Sequence, residues 1–280
     1  AKRRILVVSL KGGCGKSTIS ASLASYFAAK GLMTGLFDLD VTNPSIGKIM
    51  QLQNRREDIR IDRMIIPILA KPNLKVISVD FFLPGSDQPI TLKGEMRAKV
   101  IQQFVRSVDF GDLDVVVIDS PPTTSEELLS IMENYDKEKI EAVFVSQPSD
   151  VSVNGVIKSI RMLKERGMPI KGIISNMDKH KCSNCGHMDP IFVNAEMTVE
   201  DVAKQYRIPF LGSLPTGLLR TGYLLTDPYF NAIAEKVLTG KSVKFKPEKG
   251  HHSWLSKFLF AFRTSRNLDK ILKDNPELGW

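Results

Sequence analysis

Hydrophobic residues along this chain gather in short runs, separated by longer amphipathic stretches. The runs lie at about 4–9, 35–39, 75–79, 113–118, 141–146, 170–175 and 208–212 and are rich in Val, Ile, Leu and Phe. A short run that is apolar at consecutive positions reads as a strand buried on both faces, the condition of a parallel sheet. Between most of the runs the apolar positions recur at helical spacing, over 17–30 and ended by Gly31, over 93–108, over 153–166 and ended by Gly167, and over 198–206. Strands alternating with helices and joined by right-handed crossovers predict an α/β fold, a single doubly wound, mostly parallel sheet with helices on both faces. Residues 48–72 show no clear period and are expected to be irregular or partly helical. Lys, Pro and Gly cluster between Gly240 and Gly250. A body of residues 1–240 is therefore expected to end there, followed by a tail of residues 241–280.

Composition narrows the class. The chain has 280 residues, 42% of them hydrophobic, enough for one large core. Its net charge is +8, but residues 241–280 hold nine Lys/Arg against four acids, so the tail carries +5 and the body only +3. Affinity for anionic surfaces is thus assigned to the tail, and nucleic acid is not an expected partner of the body. No apolar run approaches the ~20 residues of a membrane span. Ala-Lys-Arg-Arg leads into a strand instead of a signal peptide, and a cytoplasmic location is expected. Only three cysteines occur, two of them as a close pair, which argues for a metal or redox role over a disulfide framework.

The chemistry begins at Ser9-Leu10-Lys11-Gly12-Gly13-Cys14-Gly15-Lys16-Ser17-Thr18, placed between the first strand and the first helix. In such a phosphate loop the glycines turn successive N–H groups onto an anion, Lys16 meets the β- and γ-phosphates, and the Ser17 hydroxyl binds Mg²⁺. A nucleoside triphosphate is the expected ligand, with Gly12 to Thr18 as its cradle. Cys14 fills a variable position of the loop as a small buried residue. Leu113 to Asp119 is a strand ending in a carboxylate, at the edge where a parallel sheet opens its ligand crevice, and Asp119 is placed to hold the Mg²⁺ water shell. Asp38 and Asp40 stand at a second strand end. Farther on, His180-Lys181-Cys182-Ser183-Asn184-Cys185-Gly186-His187 sets two thiols three residues apart in a polar loop, at about 177–198. Two ligands do not close a tetrahedral site. Either His180 and His187 complete a Zn²⁺ site within the chain, or Cys182 and Cys185 of a second subunit complete four thiolates around an iron–sulfur cluster. A redox pair is the third alternative.

The phosphate loop, with Leu10 where the plain motif has glycine and Lys11 ahead of the glycine pair, resembles the deviant form of the MinD/ParA/Mrp branch of P-loop ATPases. Within that branch the chain is similar to Mrp/ApbC-type iron–sulfur carrier ATPases. The resemblance runs through Asp87-Gln88-Pro89, Lys93 to Met96, Ile101 to Phe104, Gly111 to Asp114, Asn176-Met177, Cys182 to Gly186 and Phe210 to Pro215. It implies that Lys11 reaches the nucleotide of a second subunit, and that Asp40 in Asp38-Leu39-Asp40 orients the attacking water while Asp38 supports the metal shell. It further implies that Asn176, with Pro215 packed nearby, reads adenine, and that Cys182 and Cys185 bridge a [4Fe–4S] cluster between subunits. The chain departs from the family pattern at Thr123, where the family has glycine, at Ser183 for the proline of CPxC, at Val193 to Glu196, and at Thr216-Gly217.

Trp254, Leu255, Phe258, Leu259 and Phe262 fall on one helical face, with Lys257, Arg263 and Arg266 around it. Residues 254–266 are read as a helix that docks on the body or on a subunit, on a membrane surface, or on a partner protein. The whole resemblance implies a homodimeric ATPase that passes an iron–sulfur cluster to apoproteins. The alternative is a MinD/ParA-like positioning or scaffold ATPase that uses its basic tail and holds structural zinc at the CxxC.

Overall fold

The computed structural model describes residues 1–52, 58–59, 64–82, 94–122, 128, 131–132, 135, 139–182, 184–192, 196–216 and 228–245. In chain order the elements are β1 (Arg3–Val8), α1 (Lys16–Ala29), β2 (Thr34–Asp38), α2 (Ile46–Ile49), β3 (Asp58–Ile59), β4 (Ile65–Ile66), β5 (Ile68–Lys71), β6 (Leu74–Ser78), α3 (Gly94–Ser107), β7 (Val115–Asp119), β8 (Ile140–Ser146), α4 (Asp150–Glu165), β9 (Ile170–Lys181), β10 (Met188–Pro190), α5 (Val199–Tyr206), β11 (Phe210–Thr216) and α6 (Pro228–Thr239).

Nine strands form one sheet in which β6, β2, β7, β1, β8, β9 and β11 lie side by side and all parallel. Among the described residues of this sheet, β5, on β6, and β10, on the end of β9, run antiparallel, and β3 and β4 pair antiparallel in a sheet of their own. The seven parallel strands are the seven apolar runs. Every residue of β2 and β7 is buried, as expected of strands covered on both faces. Helices α1 and α6 pack on each other, and α4 and α5 do likewise beside β8 and β9. The stretch at 48–72, expected to be irregular or partly helical, holds in its described part the end of α2, irregular residues and the short strands β3, β4 and β5, which the sequence pattern does not predict. Ile65, Ile66 and Ile68 are β-branched, which favours the pleated conformation, and Pro67, lacking an N–H, stands between β4 and β5 and outside both.

The chain divides into two compact units, Ala1–Lys246 and Pro247–Trp280. The first is closed by polar contacts at its C-terminal end. The Arg3 guanidinium donates to the carbonyls of Val237 and Leu238 at 2.9 and 2.7 Å, so a cation caps the last turn of α6. Val243 pairs with Ile170, and Lys164 stacks on the Phe245 ring. The second unit, including the apolar positions from Trp254 to Phe262, lies outside the described residues.

The seam between β9 and β11 is tight enough to test. Gly172 has φ +150°, and a Cβ there would sit 2.5 Å from the Pro209 carbonyl oxygen, which itself accepts from the Ile173 N–H at 2.9 Å. That oxygen is backbone and cannot swing away. Gly172→Ala should cost about 1–3 kcal/mol and lower the melting temperature by roughly 5 °C, read by thermal denaturation; an unchanged melting temperature would contradict this packing.

Candidate functional site

The phosphate loop leaves the central strand β1 and enters α1 at Gly15, whose φ of +85° belongs to the left-handed region that glycine tolerates. The helix begins with no side-chain cap and no acidic residue in its first turn. Its free N–H groups therefore face outward with the positive end of the helix dipole, ready for an anion. Gly12 to Thr18, with Asp40, Asn43, Ser45, Ile49 and Pro122, line a cavity of about 330 Å³. This is the size of a small-molecule site, lined by the glycine-rich loop and by the carboxylate of Asp40.

Lys16 is buried at the floor of this cavity. Its Nζ lies 2.8 Å from Asp119 Oδ1, and the Ser20 hydroxyl donates to the same oxygen at 2.8 Å. Burial pulls the Lys16 ammonium down, but the carboxylates of Asp119, Asp40 and Asp38 outweigh it, so its pKa stands above the usual lysine value. Asp119 Oδ2 is buried with no hydrogen-bond partner among the described residues. Asp40 lines the cavity and accepts at Oδ1 from the Thr42 hydroxyl at 2.8 Å and the Asn43 N–H at 3.2 Å. Three carboxylates thus face one ammonium. The excess negative charge, the orphaned oxygen and the hydroxyl of Ser17 on the cavity wall fit a divalent cation such as Mg²⁺.

Asp38, expected to support the metal shell, is hydrogen-bonded on both oxygens. Its Oδ1 accepts from the Asp40 N–H at 3.1 Å, and its Oδ2 from the N–H groups of Ser45 and Ile46 at 3.2 Å and from the Ser78 hydroxyl at 2.9 Å. It ties the loop of Asp40 to the sheet and caps α2. Ser20 and Ser78 were not singled out in the sequence. Ser20 was within reach of sequence reasoning, because it lies one helical turn after Lys16 on the same face; Ser78 required the register that sets it beside Asp38 across β2 and β6.

Lys11 is exposed, with its Nζ 3.4 Å from Gln147 Oε1. Asn176 and Pro215 are adjacent on neighbouring strands, since Leu214 pairs with Asn176, but neither lines the cavity. The Asn176 amide instead donates to the Cys14 carbonyl at 2.7 Å and holds the back of the phosphate loop. Cys14 is buried, as expected of a small packing residue. Thr123 lies outside the described residues.

Cys182 and Cys185 sit at the tip of a hairpin in which the end of β9 pairs antiparallel with β10 at the margin of the sheet. The Cys182 N–H donates to the His187 carbonyl at 2.8 Å and the Gly186 N–H to the Cys182 carbonyl at 2.9 Å, which turns both thiols to one end. Both are free; Cys182 is half-buried and Cys185 exposed. The N–H groups of Cys185 and Asn184 and the Cys185 thiol bond the Cys182 sulfur and hold its pKa below the usual thiol value, favouring the thiolate that binds metal. His187 pairs with Asp189 at 3.1 Å and His180 meets Thr216 at 3.4 Å. Among the described residues no three His, Cys, Asp or Glu side chains converge as metal ligands. Within the chain the two thiols are half of a tetrahedral site.

Comparison with known proteins places these features together. Residues 1–221 match the family described as ParA, NUBPL iron-transfer P-loop NTPase. A cytosolic Fe-S cluster assembly factor NUBP2 homolog of Dictyostelium discoideum is 37% identical over 217 residues, covering 76% of this chain and 81% of that protein. The cytosolic Fe-S cluster assembly factor nubp2 of Danio rerio is 36% identical over 224 residues, covering 79% and 82%. Among solved structures, the nucleotide-binding protein of Archaeoglobus fulgidus in complex with ADP superposes with a TM-score of 0.64 at 28% identity, over 84% of this chain and 86% of that one. The cell division ATPase MinD of Pyrococcus furiosus shares the fold, with a TM-score of 0.58 at 20% identity over 85% and 99%.

The crowded carboxylates give a pH test. Burial, and then the charge of Asp119, push Asp38 from 3.8 up to about 7. Between those values the folded protein keeps a proton that the unfolded chain has released, so rising pH favours unfolding, at most by ~1.4 kcal/mol per pH unit. In the absence of nucleotide, melting temperature should fall between about pH 5 and pH 7 more steeply in the wild type than in Asp38→Asn. Equal slopes in thermal denaturation would show that Asp38 carries no such proton.

Proposed function

The chain belongs to the NUBPL iron-transfer P-loop NTPases of the ParA type, and on that premise we propose that it is an ATP-hydrolysing carrier that holds an iron–sulfur cluster between two copies and passes it to apoproteins. One observation carries this reading. The glycine-rich loop lines one cavity with Lys16 and Asp40, while the hairpin presents two thiols and, among the described residues, no further metal ligands converge on them. Two copies related by a two-fold axis bring four thiolates together, the number that a [4Fe–4S] cargo requires. The relatives' names, cytosolic Fe-S cluster assembly factors, support the same cargo and a cytoplasmic location. Among the described residues no helix is long and apolar enough to cross a membrane.

In this reading the N–H groups of Gly12 to Thr18 and the Lys16 ammonium hold the phosphates of ATP. Ser17 and Asp119 hold the Mg²⁺, whose chemistry is to neutralise charge on the β- and γ-phosphoryl oxygens. Asp40, anchored through Thr42 and Asn43, accepts a hydrogen bond from the water that attacks the γ-phosphorus. Phosphoryl transfer to water asks of the protein only positioning and electrostatic stabilisation. Lys11, exposed and with its Nζ 3.4 Å from the neutral amide of Gln147, adds its charge to the partner's γ-phosphate when two copies face each other. Hydrolysis then requires the dimer, and nucleotide state sets how the two hairpins meet. Residues 254–266 contribute a surface for membrane or partner protein.

Anaerobic reconstitution with iron and sulfide tests the cargo. About four irons per dimer and a brown chromophore are expected, and Cys182→Ser or Cys185→Ser alone should remove both while ATP binding persists. A colourless wild type holding stoichiometric zinc would overturn the carrier reading in favour of a scaffold ATPase. A second test separates the two lysines. Lys16→Ala should abolish ATP binding in calorimetry, whereas Lys11→Ala should keep binding and lose hydrolysis by at least ~10²-fold; unchanged affinity of the Lys16 variant would refute the assignment of the loop.

A further inference from the structure

Strand β9 serves two parts of the molecule. Ile170–Asn176 is buried in the sheet, Met177 and Asp178 are half-buried, and Lys179–Lys181 is exposed and leads into the thiol hairpin. The joint between the two parts is irregular in three independent ways. Met177 has φ +57°, in the left-handed region that residues with a Cβ avoid. The pairing with β11 slips at the same place, because Leu214 faces Asn176 while Thr216 already faces His180, so two steps of β11 match four of β9. Next to Met177, the Oδ1 atom of Asp178 is buried with no hydrogen-bond partner among the described residues. Strained backbone and an unsatisfied buried oxygen persist only where the surroundings hold them.

Those surroundings are the phosphate loop. Asn176 grips the Cys14 carbonyl at 2.7 Å. At Gly15 an added Cβ would stand 2.3 Å from Asn176 Nδ2 and 3.6 Å from the Met177 methyl, so both side chains press on the loop where α1 starts. Gln147, at the end of β8, spans to the other side of the loop. Its amide donates to the Met177 sulfur at 3.1 Å, and its oxygen faces Lys11 Nζ at 3.4 Å. The loop N–H groups that receive phosphates and the strand that carries the thiols are therefore joined through one strained segment.

We propose that the Asn176–Met177 joint couples the nucleotide site to the thiol pair, with Asn176 and Gln147 as positioning residues, so that filling the phosphate loop and loading Cys182 and Cys185 change each other's affinity. This rests on reading the two thiols as a loading site. When phosphates order the amides of Cys14 to Thr18, the Cys14 carbonyl moves with them and draws Asn176, which shifts the start of the hairpin; metal on the thiols pulls the same segment from its other end. Linkage requires the two effects to be equal.

The test uses the full chain and two fillings of the thiols. One is the reconstituted iron–sulfur cluster; the other is Co²⁺ in excess Mg²⁺, followed by its thiolate charge-transfer absorption, which reports on Cys182 and Cys185 whatever their natural cargo. Affinity for Mg·ADP, measured by calorimetry with thiols empty and loaded, should differ by at least ~5-fold in the wild type, and Co²⁺ affinity with and without Mg·ADP should differ by the same factor. In Gln147→Ala and Met177→Gly both ligands should still bind, with the ratio reduced to within about twofold of one. Asn176→Ala should behave likewise, and if it does not fold the other two variants decide. A wild-type ratio near one overturns the coupling, as do variants that keep the full ratio, or the failure of Co²⁺ to reach these thiols. Cobalt binding with coupling but no iron–sulfur chromophore would sink the carrier reading and leave the joint standing.

Discussion

The buried pair of Lys16 and Asp119, 2.8 Å apart with both side chains nearly out of solvent, is the contact on which the rest of the nucleotide site depends. Lys16 begins α1, and Asp119 ends β7, the strand that lies between β1 and β2. One ion pair thus fixes the first helix to the sheet and sets the depth of the phosphate cavity. Removing Lys16 would leave Asp119 as an uncompensated buried charge, which is far more costly than the pair itself. The pair is not neutral in context, because Asp38 is the register partner of Asp119 on the adjacent strand and Asp40 follows two residues later. This excess of negative charge beside outward-facing amides suits a polyphosphate with its divalent cation, the amides taking the anion and the carboxylates the cation. Binding to the folded state alone then stabilises the fold by mass action.

Most of this was legible in the chain. Seven apolar runs became seven parallel strands, because strands covered on both faces have no polar alternation to confuse with helix. The loop from Ser9 to Thr18 and the acid at Asp119 are local features, readable from their place at strand ends. What escaped was set by pairing between distant segments. The role of Asp38 as a loop anchor depends on Ser45, Ile46 and Ser78 converging on one carboxylate, and no spacing in the sequence announces it. Asn176 is expected beside the base from its resemblance alone, whereas its hold on the Cys14 carbonyl, across 162 positions of chain, depends on the tertiary fold. The strands within 48–72 do not show in the pattern because strands of two to four residues are too short for a period to appear.

The thiol hairpin illustrates how a fold can advertise incompleteness. A metal knuckle that served only to staple this chain would gather its remaining ligands from nearby loops. Here the two histidines that flank the cysteines are turned to Asp189 and Thr216, and the thiols stay at the exposed tip. An exposed pair of sulfurs, with one held toward the thiolate by N–H groups, suits a ligand that must be shared and later surrendered, since an enclosed tetrahedral site would hold its metal too firmly to release it.

The same economy explains why the hairpin is an extension of β9 instead of an independent loop. An insertion on flexible linkers would carry the thiols but would be indifferent to the state of the nucleotide, because a random chain transmits no displacement. A strand hydrogen-bonded to β8 and β11 along its buried half is stiff, so movement imposed at Asn176 must reappear beyond Met177. The left-handed turn at Met177 is then placed where a rigid element meets the part that has to move, and the side chains that hold it there belong to, or touch, the loop that senses the phosphates. Stiffness on one side of the joint and exposure on the other are the conditions under which a shift at the Cys14 carbonyl would be felt at sulfurs six and nine residues beyond Asn176.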